Sequence, residues 1–137
     1  MEILLVEDNP ADVFLVREAL KQTHENTLSV VTDGQEALSF VHQEGIYADA
    51  RRPDLIFLDL NLPKKDGCAV LTEIKEDFHL RHIPIVIFTS SAAARDICQA
   101  YALFANSYIV KPMGLDDFLQ TVRDVVKFWS MTASLPS

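Results

Sequence analysis

Acidic and polar side chains recur at one kind of place in this chain, immediately after a short apolar run. Glu7, Asp8 and Asn9 follow Ile3-Leu4-Leu5-Val6, Asp59, Leu60 and Asn61 follow Leu55-Ile56-Phe57-Leu58, Thr89 follows the run ending in Phe88, and Lys111 follows Ser107-Tyr108-Ile109-Val110. Runs of this kind are the pattern of strands buried on both faces. In an open parallel sheet, ligands bind outside the carboxyl ends of the strands, so these residues share one rim. Three carboxylates, Glu7, Asp8 and Asp59, then converge, and they cannot all stay ionised without a counter-charge or raised pKa values. An all-oxygen donor set with no Cys or His favours Mg²⁺ or Ca²⁺. Few carboxylates with room for waters and a phosphoryl oxygen suit Mg²⁺ better, and no EF-hand loop is present to hold calcium. A carboxylate beside Mg²⁺, with a hydroxyl (Thr89) and an ammonium (Lys111) on the same rim, is equipment for receiving a phosphoryl group as an aspartyl phosphate. Asp59 is the expected nucleophile, standing alone after the third, central run, whereas the adjacent Glu7 and Asp8 read as metal-side acids.

Helical patterns alternate with the runs that carry these residues. Asn9 then Pro10 reads as an N-cap and first helical residue, with Asp12 in the first turn favoured by the helix dipole and Val13, Val16 and Leu20 on one stripe. Leu28 to Val31 is a second strand, followed by Asp33-Gly34 and a helix carrying Ala37, Leu38 and Val41. After the third strand come the turn Leu62-Pro63-Lys64-Lys65-Asp66-Gly67 and a helix with Val70, Leu71 and Ile74. Ile83 to Phe88 is the fourth strand, with Pro84 near its start where a missing donor is tolerated. Ile97, Tyr101 and Phe104 are expected on one stripe of the next helix. The last helix shows the clearest stripe, through Leu115, Phe118, Leu119, Val122, Val125, Val126 and Trp129. Strict alternation of five strands and five helices predicts a parallel sheet with helices on both faces.

Composition agrees with one compact domain. The chain has 137 residues, 49% hydrophobic and 23% charged, with only four Gly and six Pro, which excludes disordered and collagen-like classes. Its 20 acidic against 12 basic residues give a net charge of −8, and no basic cluster exceeds Arg51-Arg52 or Lys64-Lys65. That balance repels phosphate backbones and anionic lipid, so neither nucleic acid nor membrane is an expected partner. The first residues lack a signal-like pattern, and two cysteines, Cys68 and Cys98, suit a reducing cytoplasm as packing residues.

Along nearly its whole length the chain resembles the receiver domain of two-component response regulators. The resemblance is carried by Glu7-Asp8, by Leu-Asp-Leu-Asn-Leu-Pro-Lys-Lys-Asp-Gly around Asp59, by Thr89 and by Tyr108-Ile-Val-Lys111-Pro112. More narrowly, Val-Glu-Asp-Asn, Asn-Leu-Pro-Lys-Lys-Asp-Gly and Phe128-Trp129 look like the single-domain regulators paired with cyanobacterial and bacterial phytochromes. The resemblance implies a flavodoxin-like (CheY-like) doubly wound five-stranded sheet of order 2-1-3-4-5, one receiver domain over 1–137 with a core to about 129 and an extension over 130–137. It implies Asp59 as phosphoacceptor, with Mg²⁺ held by the side chains of Asp8 and Asp59 and the backbone carbonyl of Asn61, and by Glu7 through water. Thr89 would bind a phosphoryl oxygen, Tyr108 would change rotamer in response, and Lys111 would pair with the phosphate. The Lys111-Pro112 peptide would be cis. The donor would be a sensor histidine kinase, a phytochrome by the narrower resemblance, and Asn61 and Ser91 occupy positions where the family and its phosphoryl lifetimes vary. Many receivers have Asp where Glu7 stands, a departure also frequent in the phytochrome-linked group.

With no effector domain following, output is expected through protein contact. A homodimer is expected on the face made by the fourth helix, fifth strand and fifth helix, with Phe128, Trp129 and the tail. The chain is expected to be a phosphoacceptor that assists its own phosphorylation and dephosphorylation rather than an enzyme on another substrate. An aspartate-nucleophile phosphatase of the haloacid-dehalogenase type needs a general acid where Asn61 stands. A flavodoxin needs a phosphate cradle where Glu7-Asp8-Asn9-Pro10 stands. A phosphorylation-independent docking module would keep the fold without needing the intact acid set. His79 and His82 lack a third metal ligand and are expected in solvent; His24 and His42 fall near helix ends.

Overall fold

The computed structural model describes residues 1–21 and 25–136, so His24 lies outside the described residues. Five strands form one parallel sheet: β1 (Glu2–Val6), β2 (Thr27–Val31), β3 (Leu55–Leu58), β4 (Ile85–Thr89) and β5 (Ser107–Val110), in the order β2-β1-β3-β4-β5. The helices between and after them are α1 (Pro10–Leu20), α2 (Gly34–Val41), α3 (Gly67–Glu76), α4 (Ala94–Ala102) and α5 (Leu115–Lys127). The flavodoxin-like order and the alternation both agree with the sequence reading. β4 begins later than the apolar run because Pro84 has no N–H to donate; its carbonyl still accepts from Ile56 N at 3.0 Å.

Alternation along each strand builds two cores. Leu4, Val6, Ile56, Leu58, Ile85 and Ile87 point to the face covered by α2, α3 and Ala100 of α4. Ile3, Leu5, Leu55, Phe57, Val86 and Phe88 point to the opposite face, where Val16 and Ala19 of α1 meet Phe118, Val122 and Val126 of α5. Arg123 Nε donates to the Ala19 carbonyl at 3.2 Å, tying α5 to α1. No described helix is long and apolar enough to cross a membrane.

Local chemistry starts the helices where the rim needs them. Asn9 Oδ1 accepts from Ala11 N at 2.9 Å and Asp12 N at 3.4 Å, Asp33 Oδ1 from Glu36 N at 2.8 Å, and Asp66 Oδ1 from Ala69 N at 2.9 Å. Each such cap stabilises its helix by about 1 kcal/mol. α4 differs: its N-terminal Ala93 offers no side-chain cap, and Ala100 is its one buried residue.

Three expectations are corrected. Tyr101 and Phe104 do not form an inward stripe on α4 but are 49% and 74% exposed. The helix covers the sheet edge with the small Ala100, and Phe104, at φ 72°, lies in the left-handed turn that ends it. Leu115, the first residue of α5, is exposed because it precedes the turn that faces the core. Cys98 is exposed on α4 rather than packed, whereas Cys68 is half-buried and its thiol is pushed up by that burial. α5 runs on into a wider π-helical turn over Phe128–Thr132.

Candidate functional site

Strand register assembles the rim. Val6 pairs with Leu58, so the residues that follow them, Glu7 and Asp59, emerge side by side. Asp59 N donates to the Val6 carbonyl at 3.1 Å, and Glu7 N to the Val31 carbonyl at 3.0 Å, extending the ladder up to the acids. Across the other edge Thr89 pairs with Val110, and Lys111 N donates to the Thr89 carbonyl at 2.7 Å. Gly67 closes the floor: its N–H donates to the Leu60 carbonyl at 3.0 Å, and a Cβ there would run into the Asp59 carbonyl. Only a residue without a side chain lets α3 start this close to the acid loop.

Asp59 is 6% exposed and fully engaged. Its Oδ1 accepts from the Thr89 hydroxyl at 2.8 Å and from Asn61 N at 3.2 Å, and its Oδ2 from Lys111 Nζ at 3.0 Å. Lys111 Nζ also lies 2.6 Å from Glu7 Oε1 and 2.7 Å from Asp12 Oδ2. Glu7 is 1% exposed and its second oxygen accepts from Asn9 N at 3.2 Å, whereas Asp8 is exposed.

Burial and neighbours set the charges. Burial works against the Asp59 anion, but the Thr89 hydroxyl, the Lys111 ammonium and the Asn61 N–H together hold its pKa below the usual carboxylate value. Glu7 goes the other way: burial, with the nearby Asp59 charge, outweighs Lys111 and pushes it up to about 7. Burial disfavours the Lys111 cation, but its bonds to Asp12 and Glu7 and the charges of Glu7 and Asp59 raise its pKa well above the usual lysine value. One ammonium therefore serves more carboxylate charge than it neutralises.

That surplus fits a divalent cation. Among the described residues Glu7, Asp8 and Asp59 each offer an oxygen, all within 4.8 Å of one another, with Asp8 on the solvent side. An all-carboxylate set with an open side matches Mg²⁺ or Mn²⁺, which keep several waters.

The sequence-assigned residues Glu7, Asp8, Asp59, Thr89 and Lys111 thus come together. Asn61 joins them through its backbone N–H. Tyr108 stands further out, half-buried, its hydroxyl donating to the Ser91 carbonyl at 2.9 Å on the loop before α4, and burial pushes that hydroxyl's pKa up. Ser91 in turn donates to Asp96 Oδ2 at 2.6 Å. The Lys111-Pro112 peptide, expected cis, is trans, as is every described peptide bond. Trans is the intrinsically preferred isomer even before proline, and in this geometry Lys111 Nζ already reaches all three acids. Asp12 is the site residue that sequence reading missed. Its position in the first turn of a helix starting at the rim was visible, but an acid there is equally explained by the helix dipole.

A smaller cavity of about 320 Å³ opens beside the acids, lined by Asp12, Ser90, Lys111, Met113 and Leu115 among others. A larger one of about 750 Å³, lined by Met1, Arg123, Met131 and Leu135, lies at the opposite end of the sheet, away from the acids. His79 and His82 are exposed as expected, and His42, at the end of α2, lies 3.9 Å from both Glu73 and Asp77.

The family model of the response regulator receiver domain matches residues 3–123. The chain belongs to the response regulator receiver family. Among its relatives, response regulator Rcp1 of Synechocystis sp. is 45% identical over 136 residues, 98% of this receiver and 92% of the relative. The crystal structure of the phosphorylated cyanobacterial phytochrome response regulator RcpA superposes with a TM-score of 0.95 at 49% identity, covering 99% of this receiver and 98% of that chain. The Mn²⁺-bound form of Rcp1 does so with a TM-score of 0.95 at 44% identity, covering 99% of each. This receiver is therefore similar over nearly its full length to regulators of the phytochrome-linked group.

Proposed function

We propose that this receiver is a phosphorylation-controlled switch that accepts a phosphoryl group on Asp59 from a sensor histidine kinase, a phytochrome, in the cytoplasm. The observation that carries the reading is a buried carboxylate, Asp59, bonded at once to a hydroxyl and an ammonium and set in a cluster of acids. The similarity to regulators named for phytochrome supports the choice of kinase.

Asp59, kept anionic by Thr89 and Lys111, attacks the phosphorus; the new O–P bond forms as the donor's N–P bond breaks, and the electron pair leaves on the donor imidazole. Lys111 turns an N–H toward the phosphoryl oxygens, and the Thr89 hydroxyl follows the negative charge from Asp59 Oδ1 to the new group. Asp8, Asp59 and the Asn61 carbonyl, with Glu7 through water, would hold Mg²⁺, which when bound would supply positive charge to the phosphoryl oxygens. Met113 and Leu115, exposed beside the cavity next to Lys111, are the apolar surface a donor protein meets as it brings its histidine to Asp59. The receiver assists this transfer and its reversal and acts on no other substrate.

Output follows from α4. When Thr89 moves, the loop through Ser91 loses its resting arrangement, and Tyr108, bonded to the Ser91 carbonyl, answers it. α4, uncapped and holding the core by Ala100, is the element least resistant to a shift.

Two measurements test this. Incubation of the receiver with acetyl phosphate yields one phosphoryl adduct by intact-mass analysis when Mg²⁺ is present and none in a chelator; folded protein that gains no adduct under either condition overturns the reading. A homodimer forms through α4, β5 and α5 with Phe128, Trp129 and the tail; Tyr101 on α4, Val110 on β5, and Phe104, Phe128 and Met131 in the turns after α4 and α5 are exposed. Sedimentation at high concentration shows the dimer, and a monomer throughout would rule this face out as a self-association surface.

A further inference from the structure

We propose that Asp12 is the positioning residue for Lys111, the fixed partner that holds the ammonium in place while its other two carboxylates change roles; this rests on the phosphoacceptor reading above. Lys111 Nζ has three N–H donors and three carboxylate partners, Glu7 at 2.6 Å, Asp12 at 2.7 Å and Asp59 at 3.0 Å. Two of these partners, Glu7 and Asp59, belong with Asp8 to the acid cluster that fits a divalent cation. In the loaded receiver their charge is drawn to the cation, and Asp59 loses its own charge on becoming an acyl phosphate. Asp12 stands outside that cluster and is the partner whose charge no other step of the reaction claims.

The backbone makes Asp12 a firm anchor. Its own N–H is bonded to the Asn9 side chain at 3.4 Å, the next N–H, of Val13, to the Asn9 carbonyl at 3.1 Å, and Asn9 N to Glu7 Oε2 at 3.2 Å. The helix start, the backbone of Asp12 and the acid Glu7 are thus tied together, and the Lys111 ammonium is bonded to the Asp12 carboxylate from 99 residues away in the chain. Without Asp12 the ammonium has only Glu7 and Asp59 to lean on. It then settles against the nucleophile oxygen instead of over the site where phosphoryl charge develops. A misplacement of about 1 Å in a reacting group is enough for a large loss of rate.

The test is a double-mutant cycle read as the rate of phosphoryl uptake from acetyl phosphate at saturating Mg²⁺, with ¹⁵N-directed NMR of the Lys111 ammonium as a second readout needing no phosphoryl chemistry. Asp12→Asn slows uptake about tenfold while the Mg²⁺ concentration for half-maximal rate stays within about twofold. Asp12→Glu restores most of the rate. In a Lys111→Met background Asp12→Asn has no further effect, because a residue acting only through Lys111 has nothing left to act on. In wild type the ammonium resonance is sharp, and in Asp12→Asn it broadens or shifts. Equal uptake by wild type and Asp12→Asn overturns the proposal, as does the same tenfold loss in the Lys111→Met background, which would mark a purely structural or field effect. If wild type takes up no phosphoryl group, the phosphoacceptor reading has failed, and Asp12's role in the reaction falls with it even where the ammonium resonance still depends on Asp12.

Discussion

Asp59→Asn leaves the receiver folded and unable to acquire a phosphoryl group, from acetyl phosphate or from a histidine kinase, over times in which the wild type is converted. The amide keeps an oxygen to accept from Thr89 and Asn61, so the rim is not torn open, and it relieves the crowding of Glu7, Asp8 and Asp59. What it removes is the nucleophile: an amide oxygen carries no negative charge to attack phosphorus, and Lys111 loses one of its three counter-charges. Intact-mass analysis, with peptide mapping of any adduct, checks this. Uptake at the wild-type rate, with the adduct mapped to Asp8 or Glu7, would show that the buried, ionised acid is not the acceptor.

The second large effect concerns stability. Glu7 is buried, and its pKa is pushed from 4.5 up to about 7, so between those values the folded chain keeps a proton that the unfolded chain releases. Stability in the absence of a divalent cation therefore falls as pH rises through this window, and the full penalty stands above pH 7. At 1.36 kcal/mol per unit the penalty is about 3 kcal/mol. Glu7→Gln cannot ionise and escapes it. In chelator at pH 8 the variant is more stable than wild type by an amount approaching about 3 kcal/mol, and near pH 4.5 the two converge. Mg²⁺ narrows the difference, because a ligand that binds only the folded state stabilises by mass action and wild type binds it better. Urea unfolding at the two pH values, with and without Mg²⁺, decides it; a difference that is the same at both pH values would mean that Glu7 does not carry this cost.

Much of this was already written in the order of residues. Apolar runs that end abruptly in Glu7, Asp59, Thr89 and Lys111 announced both the strands and the rim, since a buried strand tolerates no charge and a rim collects it. Asn9 before Pro10 announced where α1 starts, and the stripe through Phe118, Val122 and Val126 announced the buried face of α5. Tyr101 and Phe104 misled because apolar spacing on a short edge helix says that a face exists, not which way it turns. That choice was made by Ala100, small enough to lie against the sheet, and by the left-handed turn at Phe104.

By itself, then, the sequence determined the kind of fold and the set of groups placed at one end of it, because burial periodicity and capping are local and each strand end is read where it stands. Tertiary structure alone decided the pairings and the charges. Asp12 and Lys111 are 99 residues apart and meet only because the parallel sheet brings the ends of β1 and β5 to one side. Glu7 and Asp59 are both strand-end carboxylates, yet one is pushed up and the other held down, because the Thr89 hydroxyl and the Asn61 N–H reach only Asp59. Electrostatic partnership depends on distance in space and on the water excluded around each group, and neither exists until the chain has folded.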